Sequence, residues 1–391
     1  MLIVLVLTMG FGMEKQENIC YAKDENQDLI ILSDEVPAEI EEYFGMMAPY
    51  IIYDVINNSS MYGVEIENIE NICIGNAFII YCLNSTNTSE VTYYFPVLYN
   101  EDIIIFINVV KSNDELSIGA SREFVDKINQ LGRNSEYVFC SIQDNVYAIN
   151  ASNQMILLQG IEENMVSDED SINYEEFICD KKQVKITKEK DSVEFVIEKV
   201  FEMISQEQES NRLRLGFSEN TYYVKKLDMT NRLVNQKDSN GVQRRMCWAA
   251  SVATIVRYRN NNTTLTATNV CDAMNIGYDE GGSVSDAAEA LNNYNVKYYI
   301  QNYQSSWDQV VDSINNQYPI HMSCATSDGS YRHAVTLMGY SSYGGVSLIY
   351  LWNPGSETIQ SVSYSTNGSK FPYDGKTYIW ERSAIYYTYL Y

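Results

Sequence analysis

The run Cys247-Trp248-Ala249-Ala250-Ser251-Val252-Ala253-Thr254-Ile255-Val256 most limits how this chain can fold. Its small and apolar residues have a helical pattern with almost no polar face, and such a helix has to be enclosed by other elements. The back of the chain is therefore expected to pack around it. Its first residue is a cysteine, placed where the core can meet a cleft. A thiol at a helix start faces the positive end of the helix dipole, which favours the thiolate. Free cysteine titrates near ~8.5, so it needs such help to act as a nucleophile at neutral pH.

Two matching pieces follow in order: His333 in His-Ala-Val and Asn353 in Leu-Trp-Asn-Pro-Gly. Cysteine, histidine and a side-chain amide are the parts of a Cys-His-Asn nucleophilic site. Each alone has a blander reading, as a buried cysteine, a core histidine or a turn asparagine. His321, between Ile320 and Met322 after Pro319, is the rival base. His333 is preferred because its strand is followed by a second, Val346–Asn353, whose terminal amide can orient the imidazole. Trp248 and Trp352 read as packing residues, with Trp352 also able to shield the His333–Asn353 hydrogen bond from water.

Cys-Trp-Ala-Ala-Ser, His-Ala-Val-Thr-Leu-Met-Gly-Tyr and Trp-Asn-Pro resemble the papain-like cysteine peptidases. The Trp-Asn-Pro form looks most like the compact secreted bacterial branch that includes the staphopains. The resemblance covers roughly residues 220–391. It implies a two-lobed fold, with a helical lobe, a β-barrel-like lobe and a cleft between them. It also implies a mechanism in which the Cys247 thiolate attacks a peptide carbonyl, His333 protonates the leaving amine, and water releases the acyl-enzyme. An oxyanion glutamine is implied shortly before the cysteine. Gln243 lies four residues upstream and Gln236 eleven, neither at the spacing of relatives. Both remain candidates, with Gln236 favoured by the strand-end pattern Val234-Asn235-Gln236. The Cys247 backbone N–H would be the second donor.

Charge divides the chain. Residues 1–210 carry 38 acidic and 12 basic side chains, a net of −26, while residues 211–391 carry 14 and 15, a net of +1. Phosphate contact needs a basic surface, so nucleic acid is disfavoured as a partner. The apolar start, Leu2 to about Phe11, is far short of the ~20 residues that span a bilayer and fits the core of a secretory signal ending near Tyr21-Ala22. No later segment reads as a membrane span. Eight cysteines without CxxC pairs and only two histidines predict buried thiols rather than a metal site, and no cofactor is expected.

In the front half, Glu25 to Glu35 reads as polar and mobile and Pro37–Tyr53 as a helix. Strand-like runs follow at Ile72–Asn76, Phe78–Leu83, Val91–Tyr99, Ile103–Val109, Tyr137–Ile142 and Asn145–Ile149, with a helical pattern at Ser121–Leu131. This predicts an α+β domain on an antiparallel sheet. Residues 160–193 read as an acidic loop, Ser192–Ile204 as a helix, and Ser205–Asn211 as a polar linker. In the back half, helices at Cys247–Arg259, Thr266–Asn275, Ser283–Tyr294 and Trp307–Gln317, with a short strand at Val296–Ile300 before the last, precede strands at Ile320–Ala325, His333–Tyr340 and Val346–Asn353.

The organisation expected is a signal peptide at 1–22, an acidic α+β propeptide or inhibitory domain at 23–210, and a papain-like domain at 211–391 whose mature start lies between Asn211 and Tyr222. The expected product is a secreted, monomeric cysteine endopeptidase made as a zymogen, with protein or peptide substrates and its own front half as inhibitor. The alternatives are transglutaminase- or deamidase-type acyl transfer by the same triad, although that class more often uses aspartate as third member, and an inactive exported binding protein.

Overall fold

Valine, isoleucine, tyrosine and phenylalanine dominate residues 90–121, and they form three long antiparallel strands, Glu90–Tyr99, Asp102–Ser112 and Glu115–Ser121. The first two are joined through Asn100-Glu101 and the next two through Asn113-Asp114, all four at positive φ. Two-residue hairpin connections favour that left-handed geometry because it matches the strand twist, and asparagine and aspartate tolerate it best. The computed structural model describes residues 29–83, 90–133, 135–160, 181–186, 194–213 and 222–386, and over these the chain is a mixed α+β fold. The expected signal peptide, the acidic run 161–180 and most of the expected mature start lie outside the described residues.

The meander does not end within the front half. Its last strand, Glu115–Ser121, pairs with Thr358–Ser363 of the back half, Ser361 against Ala120 and Val362 against Gly119. A side chain at Gly119 would put its Cβ 2.1 Å from the Ser361 carbonyl oxygen, so this close approach requires glycine. The two halves thus share one thirteen-stranded sheet among the described residues, whose back-half part runs Tyr299–Gln301, Lys376–Ile385, Ile320–Ala325, Arg332–Tyr343, Val346–Asn353, Thr358–Ser363. A second, six-stranded sheet belongs to the front half and centres on Glu136–Ile142 and Leu29–Ser33.

Several front-half expectations need correction. The Glu25–Glu35 stretch holds the buried strand Leu29–Ser33, parallel to Glu136–Ile142 and antiparallel to Lys182–Ile186. Its short apolar run is covered on both faces despite its polar flanks, which is why it is a strand and not a mobile loop. Phe78–Leu83 splits, Phe78–Ile79 joining the large sheet and Tyr81–Cys82 the small one. The Ser121–Leu131 helix shrinks to one turn, Val125–Ile128, because Ser121 continues a strand and Phe124 is left-handed. Within 160–193, Lys182–Ile186 is a strand, and the polar stretch 205–211 is the end of a helix, Glu194–Leu213.

The first long helix, Ala38–Asn57, starts after Pro37 and has Glu39 and Glu41 in its first turn, where the dipole favours acids. It also ties the halves together. Asp54, 1% exposed, accepts hydrogen bonds from Tyr62 (2.8 Å), Tyr222 (2.7 Å), Ser341 (2.9 Å) and Tyr350. Burial pushes the Asp54 carboxyl up, and the donations from Tyr350, Tyr222, Tyr62 and Ser341 oppose it.

In the back half, Cys247–Arg259, Ala267–Met274 and Val284–Asn293 pack as one helical cluster with its own core, including Trp248, Ala249, Val252, Val270, Ala287 and Leu291. Capping boxes start the second and third, through Thr266 with Asn269 and Ser283 with Asp286. Residues Trp248 to Val256 are all buried, as an apolar helix requires. The helix Trp307–Asn315 starts at Ser306, and the expected Val296–Ile300 strand lies later, at Tyr299–Gln301. No described helix is long and apolar enough to cross a membrane.

Candidate active site

Cys247 is the first residue of the central helix and is half-buried, while the three residues after it are fully enclosed. His333 lies near the start of the strand Arg332–Tyr343, and Asn353 ends the neighbouring strand Val346–Asn353. The Thr336–Trp352 pairing sets the register that brings the two together. His333 Nε2 donates to Asn353 Oδ1 at 2.8 Å, and that oxygen also accepts from the Gly355 N–H at 3.0 Å. A neutral ring with its proton on Nε2 keeps its lone pair on Nδ1, so the second nitrogen is the one able to take a proton. Ala334, next to His333, presents its backbone N–H to the Cys247 sulfur. The helix start and the His–Asn pair therefore meet across a boundary between helices and sheet.

His321, the rival base, is elsewhere. It is 1% exposed, its Nδ1 is 2.9 Å from Ser251 Oγ, and that hydroxyl is 2.8 Å from Thr336 Oγ1. Burial pushes it down to about 4, which keeps it a neutral core histidine. Trp352 does not cover the His333–Asn353 pair by stacking. Its Nε1 donates to the Val234 carbonyl at 2.8 Å, and the ring on His333 is Tyr373, 4.2 Å between centroids and 16° from parallel. Tyr373 sits twenty residues beyond Asn353 in a separate strand, Lys370–Tyr373, with no local sequence signal to mark it.

The two glutamines are separated by a small hairpin. Lys237 bridges Gln243, the Asp238 N–H donates to Val242, and Arg244 N–H donates to the Gln236 carbonyl at 2.9 Å. Gln236, eleven residues from Cys247 in sequence, is thereby folded back beside Arg244, three residues from it. Its side chain is buried, with Nε2 donating to the Arg244 carbonyl at 2.8 Å and Oε1 lacking a partner. Gln243 Nε2 donates instead to the Gly355 carbonyl at 2.8 Å, bracing the turn after Asn353.

A front-half hairpin turns beside this site. The hairpin of Glu136–Ile142 and Asn145–Asn150 turns at Gln143-Asp144, with Gln143 left-handed. Asp144 forms an ion pair with Arg245 at 3.1 Å, Lys376 Nζ donates to the Gln143 carbonyl, and Ser141 Oγ donates to the Asp374 carbonyl at 2.6 Å. Burial pushes the Cys247 thiol up, opposed by the N–H groups of Ala334, Trp248 and Cys247 itself, while Asp144 adds to the rise. Burial holds His333 down at about 4 despite the Asn353 hydrogen bond and Asp144. The helix start alone was expected to favour a thiolate. Burial outweighs it, because desolvation penalises the charged form of both groups. In this arrangement thiol and imidazole are both neutral.

Behind Tyr373 lies a buried acid pair. The Glu123 Oε1 accepts from the Asp374 N–H at 3.1 Å and from Gln159 Nε2 at 2.7 Å, while its Oε2 is buried without a partner. Burial raises Glu123 to about 8 and Asp374 to about 7, with Lys376, 3.3 Å from Asp374, working against the second rise. Glu123 comes from the front half and Asp374 from the back, so the pair spans the boundary.

Residues 229–382 match the model of the Peptidase_C39 like family. That segment contains Gln236, Gln243, Cys247, His333 and Asn353, and the match supports a cysteine-type peptidase. No curated protein matches the chain. Among the described residues no group of three His, Cys, Asp or Glu side chains is placed to hold a metal. Cys140, Cys247, Cys271 and Cys324 carry free thiols.

Proposed function

We propose that the chain is an exported cysteine endopeptidase made as a zymogen, with Cys247 as nucleophile, His333 as base and acid, and Asn353 as the group that orients the ring. The observation that carries this reading is the 2.8 Å His333–Asn353 hydrogen bond facing a cysteine at a helix start. With Nε2 held by the amide, Nδ1 takes the thiol proton, the sulfur adds to a peptide carbonyl, and the protonated ring releases the amine. The Cys247 N–H and one of the two glutamines would hold the oxyanion; each donates Nε2 to a backbone carbonyl, and Gln236, folded back beside Arg244, is favoured because Gln243 braces the turn after Asn353. The arrangement of helical cluster, site and sheet supports a two-lobed, papain-like layout for the back half. An asparagine as third member favours peptidase over transglutaminase chemistry.

The hairpin tip at Gln143-Asp144 supports the front half as inhibitor, because Asp144 pairs with Arg245, two residues from Cys247, and its charge opposes the Cys247 thiolate. An epoxide-type cysteine-peptidase inhibitor should label Cys247 after removal of the front half and fail to label Cys247→Ala. Labelling of the intact chain at the same rate as the processed chain would refute the inhibitory role. Absence of both labelling and peptide cleavage in the processed chain would refute the peptidase.

A further inference from the structure

The cations around the site differ in how they are neutralised. Arg244 has Asp238 at 3.1 Å and Asp279 at 3.5 Å, and Lys376 has Asp374 at 3.3 Å, all within the back half. Arg245 has no such acid among the described back-half residues. Its ion-pair partner is Asp144 of the front half, 3.1 Å away. Its side chain is 63% exposed, whereas that of Asp144 is 24% exposed, so the acid is inserted and the arginine stands at the rim. Arg245 is two residues from Cys247, within about 7 Å along the chain. The Asp144 charge is felt at both Cys247 and His333, which places that carboxylate close to the reacting groups.

The backbone of the tip is held as well as its side chain. Lys376 holds the Gln143 carbonyl, and Ser141 holds the Asp374 carbonyl. A tight hairpin turn therefore lies beside the site with an acidic side chain directed at an arginine. When the front half leaves, Arg245 loses its counter-charge and becomes a planar, permanently charged donor beside the nucleophile.

We infer that Arg245 is a specificity-determining residue, and that the site takes peptides bearing an aspartate or glutamate beside the cleaved bond, in the place filled by Asp144. This rests on the peptidase reading and adds the substrate class. The front half is then a substrate mimic whose tip copies the charge of the substrate.

The test uses the full-length chain after processing, with Arg245→Gln and Arg245→Glu made in parallel; because Arg245 is exposed, both should fold. Each is incubated with a peptide library, and cut sites are read by mass spectrometry. Wild type should enrich Asp or Glu at one fixed position. Arg245→Glu should shift that position towards Lys or Arg. For a matched Asp/Asn peptide pair, kcat/KM on the Asp peptide should fall about tenfold in Arg245→Gln, with the Asn peptide nearly unchanged. Cleavage without acidic preference, or a preference that survives Arg245→Glu, would overturn the inference and leave Asp144–Arg245 as a docking clamp. Absence of cleavage and of Cys247 labelling together would overturn the peptidase reading as well.

Discussion

Glu123 gives the sharpest quantitative prediction. In the folded chain its carboxyl titrates near 8, against an ordinary 4.5, because it is fully buried and one oxygen has no partner. Asp374, Lys376, Tyr94, Tyr373, Tyr378 and Asp144 are the charged and titratable groups around the pair. A carboxyl raised on folding binds its proton more tightly in the native state. Its stabilisation is thus complete below about 4.5 and is lost as pH rises to about 8. Between pH 5.5 and 9 that loss is about 3 kcal/mol from Glu123 alone and about 2 kcal/mol from Asp374. Glutamine mimics the protonated acid in shape and still accepts the Asp374 N–H. Urea midpoints would be measured at pH 5.5, 7 and 9 on full-length Cys247→Ala, with and without Glu123→Gln. The glutamine variant should match its parent within about 1 kcal/mol at pH 5.5 and exceed it by about 3 kcal/mol at pH 9. Parallel pH slopes, or a glutamine variant weaker at pH 9, would refute the reasoning. Since the pair spans the halves, alkaline pH should also be where the front half separates most readily.

Asp54→Ala would leave the hydroxyls of Tyr62, Tyr222, Ser341 and Tyr350 without their shared acceptor. It should cost about 3–5 kcal/mol in urea unfolding and expose the boundary to proteolysis, whereas Asp54→Asn should cost less. Tyr373→Leu removes the ring stacked on His333, an interaction worth about 0.5–1.5 kcal/mol. In the processed enzyme kcat should fall about threefold to tenfold with little change in KM, and the acid limb of the pH–rate profile should move upward as water reaches the imidazole. An unchanged pH profile would count against a positioning role.

Much of the back half was legible because its signals are local. An apolar helical run beginning at Cys247, capping pairs at Thr266 and Ser283, and two strands ending in His-Ala-Val and Trp-Asn-Pro each depend on neighbours within a few residues. The same holds for the front-half strands, whose turns at Asn100-Glu101 and Asn113-Asp114 select their own geometry. The sequence alone thus determined which residues could form a Cys-His-Asn site and which elements would carry them. It did not determine their environment. The fold-back that brings Gln236 beside Arg244, the ring of Tyr373 on His333, the Glu123–Asp374 pair and Asp144 at Arg245 all join residues far apart in the chain. Whether Cys247 is a thiolate or a thiol depends on how much water and which charges surround it. That is a property of packing: burial of the sulfur outweighs the helix start, a balance that only the tertiary structure sets.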